Sequence, residues 1–141
     1  MDKRVLALLA LVLALTMLLP ALASEEKGRK DVLYACACGA ECGCGSLSLK
    51  PGNCVCGSPL KWRHALRVEG DTALLCACEE GCRCKLFKDN PNKCGCGLPV
   101  QKASLKGKGI YFCNCGGSCN CNTFSDAPGE CGCGMKLHKA E

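Results

Sequence analysis

The chain has few of the residues from which enzymes build a core and an active site. Only six of its 141 residues are aromatic, and only two are histidines. The hydrophobic fraction of 48% includes eighteen cysteines and one apolar N-terminal run, so little remains for a single large core. No Ser–His–Asp set, paired-carboxylate site, phosphate-binding loop or C-x-x-C-H haem site occurs in the sequence. We therefore expect a protein that is not an enzyme.

Charge and helical patterning are also weak. A formal net charge of +5 is mild and does not indicate nucleic-acid binding. After the N-terminal run, no stretch keeps the apolar period of a helix, so little helix is predicted. Short strands are predicted at Leu66–Val68 and Thr72–Leu75, joined by a turn, and a similar pair at 104–112. Linkers are expected near 61–70 and 101–109.

The N-terminus has the three parts of a secretory signal peptide. A basic start precedes the apolar run Val5–Leu19, and Ala21-Leu22-Ala23 forms an A-x-A cleavage pattern. The alternative is an uncleaved anchor, but fifteen helical residues at about 1.5 Å each do not span a hydrocarbon core of roughly 30 Å. We predict a signal peptide over 1–23, cleaved after Ala23, followed by a flexible leader over 24–30. The mature protein is then periplasmic or secreted, with no membrane attachment.

The cysteines form three repeats. All eighteen lie in C-x-C pairs, and the spacing C-x-C-x3-C-x-C-x9-C-x-C-G occurs three times. We predict three Cys repeats, over 31–69, 70–107 and 108–141, which we call segments 1, 2 and 3. The candidate metal ligands are Cys36, Cys38, Cys42, Cys44, Cys54, Cys56, Cys76, Cys78, Cys82, Cys84, Cys94, Cys96, Cys113, Cys115, Cys119, Cys121, Cys131 and Cys133.

Each segment also ends with the same turn signals. A type II turn, whose third residue needs a positive φ, is predicted before the last pair, as at Pro51-Gly52 and Pro128-Gly129. A glycine follows the last cysteine at Gly57, Gly97 and Gly134, where it suits a tight turn whose backbone amides face a sulfur. The predicted fold is small, cysteine-rich and mostly irregular or β, with three tandem β-knuckle repeats stapled by metal or disulfides.

A unit of this size needs cross-links, because burial alone rarely stabilises fewer than about 40 residues. Residues i and i+2 of an extended chain point to one side, so both sulfurs of a C-x-C pair can reach one metal. Two sulfurs on a tetrahedral zinc lie about 3.8 Å apart. A disulfide within a C-x-C pair closes a small, strained ring, so disulfide partners are expected to come from different pairs.

Three alternatives to a thiolate–metal cluster remain. Export favours a disulfide scaffold, because exported thiols are usually oxidised. An iron–sulfur site also uses cysteine ligands. Thiol–disulfide catalysis is disfavoured, since such an enzyme has one activated pair and this chain has nine. If metal binds, thiolates select zinc or Cu(I), with cadmium as a further candidate.

Few other side chains are candidate ligands. His64 and His138 are interpreted as surface histidines, although either can ligate a metal. Met135 is either a packing residue or a thioether ligand for Cu(I), and Trp62 is expected to pack against its own segment.

The closing part of each segment resembles a small bacterial heavy-metal-binding domain, which occurs alone and attached to periplasmic adaptors of metal-efflux systems. That domain has the pattern Pro-Gly-x-Cys-Pro-x-Cys-Gly-Met-x-Leu, and segment 3 has Pro128-Gly129-Glu130-Cys131-Gly132-Cys133-Gly134-Met135-Lys136-Leu137. The closing pair here is C-x-C, one residue shorter, and two C-x-C pairs replace the Pro-Met-His block of the domain. The resemblance implies an exported soft-metal site, with a metal-efflux system or a metallochaperone as partner. The crowded C-x-C pairs also resemble metallothionein composition.

Overall fold

The protein is built from short β-strands. A computed structural model describes residues 28–38, 43–115 and 121–141, and these residues contain no helix. The predicted signal peptide, most of the predicted leader, Cys42 and Cys119 lie outside the described residues. In the described part of the chain, no helix has the length and apolarity to cross a bilayer. The strands are β1 (Val32–Ala35), β2 (Leu47–Ser48), β3 (Lys61–Glu69), β4 (Thr72–Cys76), β5 (Val100–Ser104), β6 (Tyr111–Phe112), β7 (Phe124–Ser125) and β8 (His138–Lys139).

The larger sheet has five antiparallel strands in the order β2-β1-β3-β4-β5. The predicted strand, turn and strand over 66–75 are confirmed as the β3–β4 hairpin, with Val68 opposite Ala73. The strand is longer than expected, because β3 begins at Lys61. The predicted linker near 61–70 is therefore wrong, since these residues pair with both β1 and β4.

The smaller sheet has three strands in the order β7-β6-β8. The residues at 104–112, which resemble a hairpin in sequence, do not pair with each other. Strand β5 pairs with β4 instead, and β6 pairs with β7 and β8. A turn between them contains Gly107 at φ 66° and Gly109 at φ 69°, and it moves the chain from one sheet to the other.

One small apolar core lies under both sheets. It contains eleven buried residues, four of them alanines, and its members come from all three segments. Leu33, Leu75, Leu105 and Phe112 are fully buried in it. The sequence predicted that few apolar residues are available to build a core, and a core of eleven buried residues agrees with that prediction. Because the core is shared, the three segments pack together and are not separate units joined by linkers.

Candidate metal centres

The described cysteines of each segment converge on one place. We call these groups cluster 1, cluster 2 and cluster 3, after their segments. Cluster 1 contains Cys36, Cys38, Cys44, Cys54 and Cys56. Cluster 2 contains Cys76, Cys78, Cys82, Cys84, Cys94 and Cys96. Cluster 3 contains Cys113, Cys115, Cys121, Cys131 and Cys133. In each cluster at least four ligand atoms lie within 4.8 Å of one another, a spacing that a single metal ion can bridge.

Cluster 1 brings together the first pair and the closing pair of segment 1 with Cys44 of its second pair. The Sγ of Cys36 lies 3.6 Å from that of Cys56, and the Sγ of Cys44 lies 3.4 Å from Cys38 and 3.1 Å from Cys54. The first pair directly follows strand β1, and the last pair lies in the closing turn. These separations are close to the roughly 3.8 Å between two sulfurs on a tetrahedral zinc.

Cluster 2 is the most buried of the three, and all six of its cysteines are described. Cys76, Cys78 and Cys94 are buried, whereas Cys96 is exposed. The sulfur–sulfur distances between pairs are 3.2 Å for Cys76–Cys84, 3.5 Å for Cys78–Cys94 and 3.7 Å for both Cys78–Cys84 and Cys82–Cys96. Three overlapping donor groups result, and Cys84 belongs to each of them.

Cluster 3 repeats the arrangement on strand β6. The Sγ atoms of Cys121 and Cys113 lie 3.0 Å apart, and those of Cys115 and Cys133 lie 3.2 Å apart. The Sγ atoms of Cys113 and Cys115 are also in direct contact.

The closing turns have one shared backbone geometry. Gly57, Gly97 and Gly134 have φ angles of 84°, 81° and 81°, in the left-handed region that favours glycine. Each donates its amide to the carbonyl oxygen three residues earlier, at 2.8 to 2.9 Å. The amide of Cys56 also lies 3.5 Å from the Sγ of Cys54. A tight turn that directs a backbone amide at a sulfur is therefore confirmed for the first of these turns.

Hydrogen bonds from neighbouring residues of the closing turns stabilise a thiolate at the first cysteine of each closing pair. Hydrogen bonding from the Cys56 amide lowers the pKa of Cys54 to about 6. For Cys94, burial opposes ionisation, but the amides of Cys96 and Leu98 and the thiol of Cys78 lower the pKa to about 7. Hydrogen bonds from Cys133 likewise lower the pKa of Cys131 to about 7.

Cysteines elsewhere in the clusters hold their protons more strongly. Burial, together with the neighbouring thiols, raises the pKa of Cys36 to about 12 and that of Cys121 to about 11. Burial also raises the pKa of Cys76, Cys78 and Cys84. Each cluster therefore combines a ready thiolate with thiols that give up a proton only when a cation replaces it.

His64 lies beside the sulfurs of cluster 2, and its interpretation as a surface histidine is wrong. Only 2% of the residue is exposed, and its Nε2 lies 2.8 Å from the carbonyl oxygen of Cys84. One of its ring nitrogens forms a mutual 4.8 Å group with the sulfurs of Cys76, Cys82 and Cys84. No local signal in the sequence indicated this position, because the register of the predicted hairpin, when extended, places Ala65 and not His64 opposite Cys76.

The other candidate ligands lie at the surface. His138 is exposed and packs edge-on against Phe112 at a ring distance of 5.5 Å, so its surface interpretation is confirmed. Met135 is 52% exposed. Trp62 is half-buried, with the guanidinium of Arg29 5.3 Å from its ring centroid, a cation–π distance.

No family model, curated protein or solved structure matches this chain. The function is therefore argued from the clusters themselves.

Proposed function

We propose that this is an exported, non-enzymatic soft-metal-binding protein that sequesters, buffers or delivers zinc or Cu(I), and also accepts cadmium. The observation that carries the proposal is the convergence of cysteines from three pairs at each of three places. A disulfide joins two sulfur atoms, so a scaffold held by disulfides does not need larger groups of sulfurs in one place. Four or more sulfurs gathered at one point are the donor set of a metal site.

The donor chemistry supports a soft cation. Thiolates prefer zinc, Cu(I) and similar ions to magnesium or calcium. The lowered pKa of Cys54, Cys94 and Cys131 gives each cluster one sulfur that is ready to bind at neutral pH. When bound, the metal would supply the attraction that keeps the remaining thiolates together. The cysteines of each segment would hold it, and the three segments would act as tandem metal-stapled units.

The exposure of the clusters supports exchange rather than a purely structural role. The second cysteine of each closing pair, at Cys56, Cys96 and Cys133, is exposed, whereas the first is buried. A structural zinc site is closed, because nothing needs to reach the ion. An exposed sulfur at the same edge of every cluster gives an incoming thiol of a partner a place to attack the metal. Such a partner would be a metal-efflux component or a metallochaperone.

Export rests on the signal-peptide pattern over 1–23, and the resemblance to the heavy-metal-binding domain supports the same compartment. The second candidate is a disulfide-stapled structural or interaction module without metal. Export favours it, because exported thiols are usually oxidised, and the Sγ atoms of Cys113 and Cys115 already lie in direct contact. Metal binding requires reduced thiols, so the redox state of the exported protein distinguishes the two candidates.

Native mass spectrometry of the protein isolated from its own compartment provides the test. The metal function predicts discrete mass losses in metal-sized steps after acid and chelator, with eighteen titratable thiols remaining. The mass steps also identify the metal and its stoichiometry. A metal-free native mass about 18 Da below the all-thiol value would instead mean nine disulfides, and the metal function would be abandoned.

A further inference from the structure

Cluster 2 differs from the other two clusters in one donor that is not a cysteine. We propose that His64 is a metal ligand and that cluster 2 is a mixed nitrogen–sulfur site selective for zinc-like ions, including cadmium. Clusters 1 and 3 have only sulfur donors in their described groups, and these also suit Cu(I). This inference rests on the proposed function, because it assumes that the thiolates of cluster 2 hold metal.

The imidazole of His64 has the environment of a metal-bound histidine. Such histidines usually use one ring nitrogen for the ion and donate the other N–H to a carbonyl or carboxylate. Here Nε2 lies 2.8 Å from the carbonyl oxygen of Cys84 and 3.8 Å from the Sγ of the same residue, and Nδ1 is buried with no hydrogen-bond partner among the described residues. With the proton on Nε2, Nδ1 keeps its lone pair. A buried acceptor without a partner is destabilising, and a bound cation would offset that cost.

A β-bulge brings His64 to the cluster. The β3–β4 ladder is interrupted at Leu66, so Cys76 pairs with His64 instead of with Ala65. Without the extra residue every side chain before the bulge would point to the opposite face of the sheet. The bulge is held from segment 3, because the Nδ2 of Asn122 donates to the carbonyl oxygens of Ala65 and Leu66 at 3.2 Å each. Bulges that redirect a side chain are common beside functional sites.

Side chains of the leader and of segment 1 also fix the second cysteine pair of cluster 2. Arg29 donates from Nη1 to the carbonyl oxygen of Cys82 at 2.6 Å, and its guanidinium is paired with Asp31 at 2.6 Å. His64 contacts the carbonyl oxygen of Cys84. Both ends of this pair are therefore held by side chains from outside segment 2. Neither contact would be needed if the six cysteines of the segment formed a self-contained site.

The number of donors is consistent with a role for the histidine. Six thiolates and one imidazole make seven donors, and two four-coordinate ions need eight positions. At least one sulfur must therefore be shared, and any two of the three donor groups have Cys84 and one further sulfur in common, so Cys84 is the residue placed to bridge two ions. We therefore expect cluster 2 to bind two zinc ions, with His64 on one of them.

The test uses the full protein, labelled with ¹⁵N in its two histidines and loaded with ¹¹³Cd. The expected result is a direct ¹¹³Cd–¹⁵N coupling at one ring nitrogen of His64 and none at His138. His138→Gln assigns the two signals and serves as the matched control, because that residue is exposed and outside the clusters. His64→Gln should remove the coupling and weaken one cadmium site by roughly 10- to 100-fold, at least the effect of losing an outer-shell partner.

The possible outcomes separate the role of His64 from the proposed function of the whole protein. Cadmium bound through sulfur, with neither histidine coupled, would overturn the role of His64 and leave the proposed function intact. A reduced protein that takes up no cadmium would overturn both. If His64→Gln fails to fold, the coupling in the unmodified protein still gives the answer. The wild-type spectrum therefore tests the inference without any substitution.

Discussion

Two pairs of glycines allow the closing turns to be tested by a single methyl group. Gly57 and Gly134 have φ angles of 84° and 81°, whereas Gly52 and Gly129, five residues earlier in their segments, lie outside the left-handed region. A Cβ added at any of the four meets no atom within 4 Å. The alanine substitutions therefore differ in backbone strain and in nothing else that packing would detect.

We expect Gly134→Ala and Gly57→Ala each to lower the free energy of unfolding of the zinc-loaded protein by about 1–2 kcal/mol, the penalty of an L-residue in the left-handed region. Because the strained turn holds its thiolate less well, zinc affinity should fall by about 5- to 30-fold if folding and binding are coupled. Gly129→Ala and Gly52→Ala should lie within about 0.5 kcal/mol of the unmodified protein or slightly above it.

The assays are denaturant unfolding and competition for zinc with a chromophoric chelator. Since the two turns lie in different segments, the double variant Gly57→Ala, Gly134→Ala should show the sum of the single effects. Equal losses in Gly129→Ala and Gly134→Ala would refute the reasoning, because the effect would then not depend on φ. Unchanged affinity in all four variants would show that the closing turns do not position the thiolates.

Three further predictions concern the metal, one cluster and the core. Stripping the reduced protein with a chelator should collapse the amide dispersion of both sheets in a ¹H–¹⁵N spectrum, because a core of only eleven residues does not hold them alone; a dispersed apo spectrum would contradict this. Cys94→Ser and Cys96→Ser should both weaken metal binding, but only the buried Cys94 substitution should also markedly lower the unfolding temperature; equal shifts in a melting curve would contradict the burial argument. Phe112→Ala should lower the free energy of unfolding by about 3–5 kcal/mol in one cooperative transition, and separate transitions by circular dichroism would mean that the segments do not share a core.

The shared core contains residues of strands that lead directly into different clusters. Phe112 lies on the strand that leads into cluster 3, and Leu75 immediately precedes the first cysteine of cluster 2. Metal bound at one cluster therefore stabilises strands that carry the next. We expect successive metals to bind more tightly than the first, which the same chelator competition would show as a steepened titration.

Local patterns in the sequence were enough to predict how each cysteine group is assembled. The C-x-C spacing puts two sulfurs on one side of an extended chain. The glycines after the closing pairs predicted tight turns, and all three adopt a positive φ. The type II turns predicted at Pro51-Gly52 and Pro128-Gly129 are wrong, because these two glycines do not adopt the positive φ that such a turn requires. The hairpin over 66–75 followed from alternating strand residues around a turn. These features depend on neighbours within about ten residues, where backbone geometry leaves few choices.

Only the tertiary structure decided which segments contact one another. Residues 61–70 resemble a linker in sequence, but Lys61–Glu69 form the central strand β3, because β1 and β4 pair with it along both edges. The position of His64 depends on a one-residue bulge supported by Asn122, 56 and 57 residues away from the carbonyls it binds. No local periodicity encodes such a contact. Its geometry exists only when segment 3 packs on segment 1, and this packing places a histidine among the sulfurs of segment 2.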